Sequence, residues 1–120
     1  VITNLLIRWK EMIDLSIEGI LKSAKRKKKI SSVPSNPVGK IEAVRKIFKK
    51  DENFQKVLDL HEMFKKIREL RTERIGEFRK NVTLKIYYRG KEININLDQL
   101  KEYAEKIEKF ITSTKQFILS

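Results

Sequence analysis

Between Ile2 and Lys29 the apolar residues Leu5, Leu6, Trp9, Met12, Ile13, Ile17, Ile20, Leu21 and Ala24 recur at three- and four-residue spacing. That period places them on one face of a long helix, and such a helix is stable in water only if its stripe is buried against other elements. The chain must therefore fold as a helical bundle or bind a helical partner. Gly19 interrupts the stretch at a cost of about 1 kcal/mol relative to Ala, which marks it as a position of close packing.

The next break is ISSVPSNP at 30–37, where two prolines and three serines stop both helix and strand. Pro37 suits the first turn of a second helix, expected over 38–49, with Val38, Ile41, Val44, Ile47 and Phe48 on its apolar side. Asp51 is placed to accept the first free amides of a third helix, expected over 52–79. From Asn81 and Val82 the period changes to two. Val82, Leu84, Ile86 and Tyr88 alternate with polar or aromatic residues, Arg89-Gly90 turns the chain, and Ile93, Ile95 and Leu97 return. This is a β-hairpin over about 82–95. Asn96 or Asp98 caps a last helix over 97–119, with Leu100, Ala104, Ile107, Ile111 and Ile118 as its stripe. The expected fold is mainly α, an antiparallel bundle of about four helices with one hairpin between the last two. The 120 residues form a single domain, 1–120.

Charge is unevenly placed. The formal net charge is +12. Segment 22–50 holds eleven basic residues and one acid, Glu42, so it supplies ten of those charges. Lys25, Arg26, Lys27, Lys28, Lys29, Arg45, Lys46, Lys49 and Lys50 are the candidate phosphate contacts, and RNA or another polyanion is the implied partner. The bland alternative is a solvated helix end in a lysine-rich protein. Charged residues reach 37% with no cysteine, a balance resembling thermophile proteins. Without cysteine there is no disulfide and no thiolate metal site.

The catalytic inventory is thin. There is one histidine, His61, read as a half-buried packing residue. There is no phosphate-binding glycine loop, no nucleophile elbow and no metal-ligand spacing, so no catalytic residue, cofactor or metal is assigned. No apolar run is long enough to span a membrane, and charges interrupt the N-terminal apolar residues too early for a secretory signal. A cytoplasmic location is expected. The chain begins at Val1 rather than Met, which leaves room for residues upstream.

One anomaly stands on the third helix. If it runs to residue 79, Arg71 falls at the centre of the stripe Leu60, Phe64, Ile67, Ile75, Phe78, and Arg74 falls near its edge. A guanidinium there needs a structural ion pair, a route to solvent, or a cleft in which it holds phosphate. The run FKKIRELRTER, an interruption after it, and the closing LDQLKEYAEKIEKFI together resemble HEPN domains, small and usually dimeric helical bundles. Many members are RNases or RNA-binding relatives. Their motif is an arginine, a polar residue and then a histidine four to six positions after the arginine. The resemblance places Arg71 or Arg74 at the arginine and Asn81 at the histidine. With asparagine there, it implies a binding or inactive member. Three functions follow: a non-catalytic RNA-binding protein, a homodimeric assembly protein carried by the wide stripe with Trp9, Ile7 and Leu15, and an RNA-cleaving toxin.

Overall fold

The computed structural model describes residues 2–70, 72–75 and 83–120. Its order is α1 (Ile2–Arg26), α2 (Pro37–Ile47), α3 (Glu52–Lys65), β1 (Thr72–Ile75), β2 (Thr83–Tyr88), β3 (Lys91–Ile95) and α4 (Leu97–Leu119). The protein is mainly α, with four helices among the described residues and a β2–β3 hairpin between α3 and α4.

Local chemistry sets the helix starts. The Asn36 side chain accepts from the Gly39 amide at 2.5 Å, and Pro37 opens α2 where its missing N–H costs nothing. Asp51 accepts from the Phe54 amide at 3.1 Å, and Asn96 accepts from the Gln99 amide at 2.8 Å. The end of α1 is equally specific. The Lys28 amide donates to Lys25 O at 3.0 Å and the Lys29 amide to Ala24 O at 2.9 Å, with Lys28 at φ 62°. These are the paired bonds of a Schellman cap, and they stop α1 at Arg26, before the expected Lys29.

Ring contacts fix the helix directions. Trp9 and Tyr103 both meet Phe64, at 6.1 and 5.8 Å between centroids, while Gly19 lies against Ile118. So α1 and α4 run the same way. Phe54 meets Phe110 at 4.5 Å, so α3 runs against both. Phe48 stacks on Phe54 at 3.8 Å, which folds α2 back onto the start of α3. A Cβ on Gly19 would stand 3.1 Å from Ile118 Cδ1, so the glycine does mark close helix packing. The core continues from Leu6, Ile13, Ile20, Leu21 and Phe54 through Phe64 and Phe110 into Leu84, Ile86 and Ile95 of the hairpin.

The third helix differs most from expectation. It ends at Lys65, not at 79, and its last turn relaxes through tighter bonds such as Ile67 N to Phe64 O at 3.2 Å. Residues 72–75 form β1, antiparallel to β2, with Thr72 opposite Ile86 and Ile75 opposite Thr83. The sheet is three-stranded, in the order β1-β2-β3. A hairpin alone is marginal in water, and pairing its open ladder with a third strand outweighs the modest helix propensity of this segment. The turn at Arg89-Gly90 has φ of 51° and 75°, the two positive values a two-residue hairpin turn requires. Arg89 is held by Glu62 at 2.5 Å and lies 5.2 Å from the Tyr88 ring.

The molecule measures 50 × 24 × 22 Å. The sheet sits where α3 ends and α4 begins. The C-termini of α1 and α4 and the start of α3 form the other end of the long axis. No described helix is long and apolar enough to cross a membrane.

Candidate functional site

The basic segment separated by the loop in sequence is joined in space around Phe117. The Lys27 ammonium sits 4.2 Å from the Phe117 ring centroid, donates to Phe117 O, and donates to Ser120 Oγ at 2.9 Å. Lys29 lies 5.9 Å from the same ring, and Arg26 donates to Ile118 O at 3.5 Å. The Phe117 ring also meets Phe48, just beyond α2, edge-on at 5.2 Å between centroids. The basic end of α1, the carbonyl end of α4 and the end of α2 are thus one cluster.

The pairing has an electrostatic cause. The last carbonyls of a helix lack intrahelical partners and carry partial negative charge. Lys27 and Arg26 supply cations to those of α4. Partial desolvation holds the Lys27 ammonium below the ordinary lysine value, and repulsion from Arg26 and Lys29 adds to this.

Not every candidate contact is free to meet a phosphate. Lys27 is committed to α4. Arg45 donates to Gln55 Oε1 at 2.9 Å and to Asp59 Oδ1 at 2.7 Å, while Gln55 Nε2 donates back to Phe48 O at 3.0 Å. That network fastens α2 to α3. Lys25, Lys28, Lys29, Lys46, Lys49 and Lys50 are exposed, and none makes an ion pair among the described residues. Lys29 and Lys46 line one open groove of about 630 Å³ between the loop and α2, with Ile30, Pro34 and Ile47 as its apolar wall. Glu42 is the acid in that lining.

The second candidate cleft is different from what the sequence suggests. Arg71 and Asn81 lie outside the described residues. Arg74 is not on a helical stripe: it belongs to β1, with its Cα opposite Leu84. The helix geometry that set Arg71 and Arg74 on one arc ends at Lys65, and β1 lies at the far end of the molecule from the basic cluster. The β1 backbone that carries Arg74 and the segments that carry the Lys25–Lys50 cations are therefore at opposite ends of the fold.

His61 is buried, at 3% exposure, rather than half-buried as its place beside the α3 stripe suggests. Its Nε2 lies 2.6 Å from Asp14 Oδ1, and Asp14 Oδ2 takes Lys10 at 2.7 Å. Burial pulls the Asp14 carboxyl upward, but the bonds from Lys10 and His61 outweigh it and hold the group below the ordinary 3.8. The His61 Nδ1 is buried without a hydrogen-bond partner among the described residues. Asp14, four residues from Lys10 on α1, was legible as an i,i+4 pair, but nothing in the sequence announces its contact with α3.

No group of three histidine or carboxylate side chains among the described residues could hold a metal ion. Compared with protein-family models, curated proteins and solved structures, the chain matches none.

Proposed function

We propose that this protein binds polyanions without cleaving them, RNA first among them, through phosphate contacts at the end where α1, α2 and α4 converge. The observation that carries the reading is the Phe48–Phe117–Lys27 contact, which gathers lysines from both sides of the proline loop. Six exposed lysines without internal ion pairs then project from one end, beside a groove whose lining holds a single acid. Lysine is a point charge on a flexible stem, suited to following a phosphate backbone rather than reading bases. The resemblance to HEPN domains, which include RNA-binding relatives, favours RNA over DNA.

The test is binding of a labelled RNA across a salt series. Log affinity is expected to fall linearly with log salt, and six engaged lysines correspond to a slope of about −4 to −5. Replacing Lys25, Lys28, Lys29, Lys46, Lys49 and Lys50 with serine should flatten that slope. Absence of an RNA complex at about 50 mM salt rejects the reading.

A second reading is self-association through α1. Met12 and Leu15 are 42% and 75% exposed and stand three residues apart on one face of the helix. Exposed apolar residues on one face suit a partner helix, and a second copy of the chain is the partner proposed. Light scattering decides it: a dimer lost on Leu15→Glu supports the reading, and a monomer at high concentration removes it.

A further inference from the structure

A cleft of about 250 Å³ lies midway along the bundle, lined by Lys10, Asp14, Ile17 and Glu18 of α1, Pro37, Lys40 and Ile41 of α2, and His61 and Lys65 of α3. Its construction follows from helical spacing. Lys10, Asp14 and Glu18 recur every four residues on α1, as His61 and Lys65 do on α3, so each helix turns one face toward the opening. The first turn of α2 closes the third side.

We propose that this cleft is a binding site for a small oxyanion of the phosphate class. Three ammonium groups from three different helices border it, against two carboxylates. Lys10 pairs with Asp14 at 2.7 Å and Lys40 with Glu18 at 2.5 Å. Lys65 has no ion pair among the described residues, so a positive charge is left over at the opening. Apolar Ile17 and Ile41 line the cleft as well, with His61, whose Nε2 is tied to Asp14.

Phosphate suits the space and the charges. The volume corresponds to several water molecules at about 30 Å³ each, enough for a tetrahedral oxyanion with part of its hydration shell. The two internal ion pairs are partly solvent-exposed, and such pairs are weak because water screens them. A dianion can therefore draw Lys10 and Lys40 away from their carboxylates while Lys65 closes over it. Competition from Asp14 and Glu18 sets the expected affinity in the millimolar range and favours a doubly charged guest over a singly charged one.

This inference is independent of the polyanion reading, because no residue is shared. The test is a titration of the whole protein with inorganic phosphate and with diphosphate, followed by NMR and matched in ionic strength with sodium chloride. Saturable shifts at the His61 ring and at the Lys40 and Lys65 amides are expected. Lys65→Ala, a change at an exposed position, should weaken binding by about fivefold or more, the effect of one lost charge-assisted contact. The six-lysine serine variant should bind phosphate here unchanged. Shifts no larger than those in sodium chloride, equal affinity in Lys65→Ala, or loss of the shifts in the serine variant would each overturn the proposal.

Discussion

The Lys27 ammonium lies 4.2 Å from the centroid of the Phe117 ring and donates to the carbonyl of the same residue. One side chain just past the end of α1 thereby covers an aromatic ring of α4 and supplies a cation to its carbonyl end. Lys27 belongs to a run of five basic residues but does a different job from its neighbours. Lys27→Met is expected to lower the melting temperature measurably, since it takes the ammonium from both the Phe117 ring and the Phe117 carbonyl and leaves that carbonyl only the Ser120 hydroxyl as side-chain donor. Lys25→Ser, at an exposed position without an ion pair, should leave the melting temperature unchanged while weakening any RNA complex. Thermal melts of the two variants beside RNA titrations separate structural lysine from binding lysine. Equal melting temperatures for the two would refute that division.

Lys28 carries a different cost. It occupies the left-handed position of the α1 cap, with φ 62°, where glycine is the usual residue and other L-residues are disfavoured by about 1–2 kcal/mol. Glycine also gains freedom in the unfolded chain, so part of that is returned. Lys28→Gly is therefore expected to stabilise the fold by about 1 kcal/mol in urea denaturation and to weaken RNA binding modestly. A lysine kept where glycine folds better fits a role for its charge. A variant less stable than the parent would show that the cap is not strained.

The Asp14 carboxyl gives the acid side of the stability profile a defined contributor. Its folded value is depressed by Lys10 and His61 despite burial. A depressed carboxyl contributes stability in full above its unfolded value, near 3.8, and loses it as pH falls through the folded value below that. Asp14→Asn should thus destabilise the protein at neutral pH and show a shallower loss of stability between about pH 4 and pH 2. Denaturant midpoints measured across that range provide the check. An acid limb of unchanged slope would mean that Asp14 is not held in its charged form by these partners.

Much of the fold was legible because its signals are local. The caps at Asp51 and Asn96, the proline at the start of α2, the glycine against Ile118 and the Arg89-Gly90 turn each follow from the chemistry of one or two residues. The reading failed where a local pattern competed with a tertiary one. Residues 66–78 keep a helical spacing of Ile67, Ile75 and Phe78, yet Thr72–Ile75 pairs with β2, because strand pairing is rewarded by a partner that is distant in sequence. The same limit hid the candidate sites. The lysines of 25–50 could be counted, but the commitment of Lys27 to α4 and of Arg45 to α3 depends on contacts 10 to 93 residues away. His61 showed no more than its solitude, and its bond to Asp14 crosses 47 residues.

The strand at 72–75 can be tested by a substitution whose sign differs between helix and strand. Threonine favours extended backbone, because its branched side chain packs well on a pleated surface and loses freedom in a helix. Alanine reverses the preference. If Thr72 stood in a continuing third helix, Thr72→Ala would stabilise the protein by about 0.5 kcal/mol. In β1, where its Cα pairs with Ile86, the same change trades a strand-favouring residue for a strand-disfavouring one and is expected to cost about 0.5–1 kcal/mol. Urea denaturation of the single variant reads the sign directly. Amide hydrogen exchange supplies an independent check: Leu84 and Ile86 lie in the central strand, and protection there should fall together with stability if β1 is the partner that covers its outer ladder.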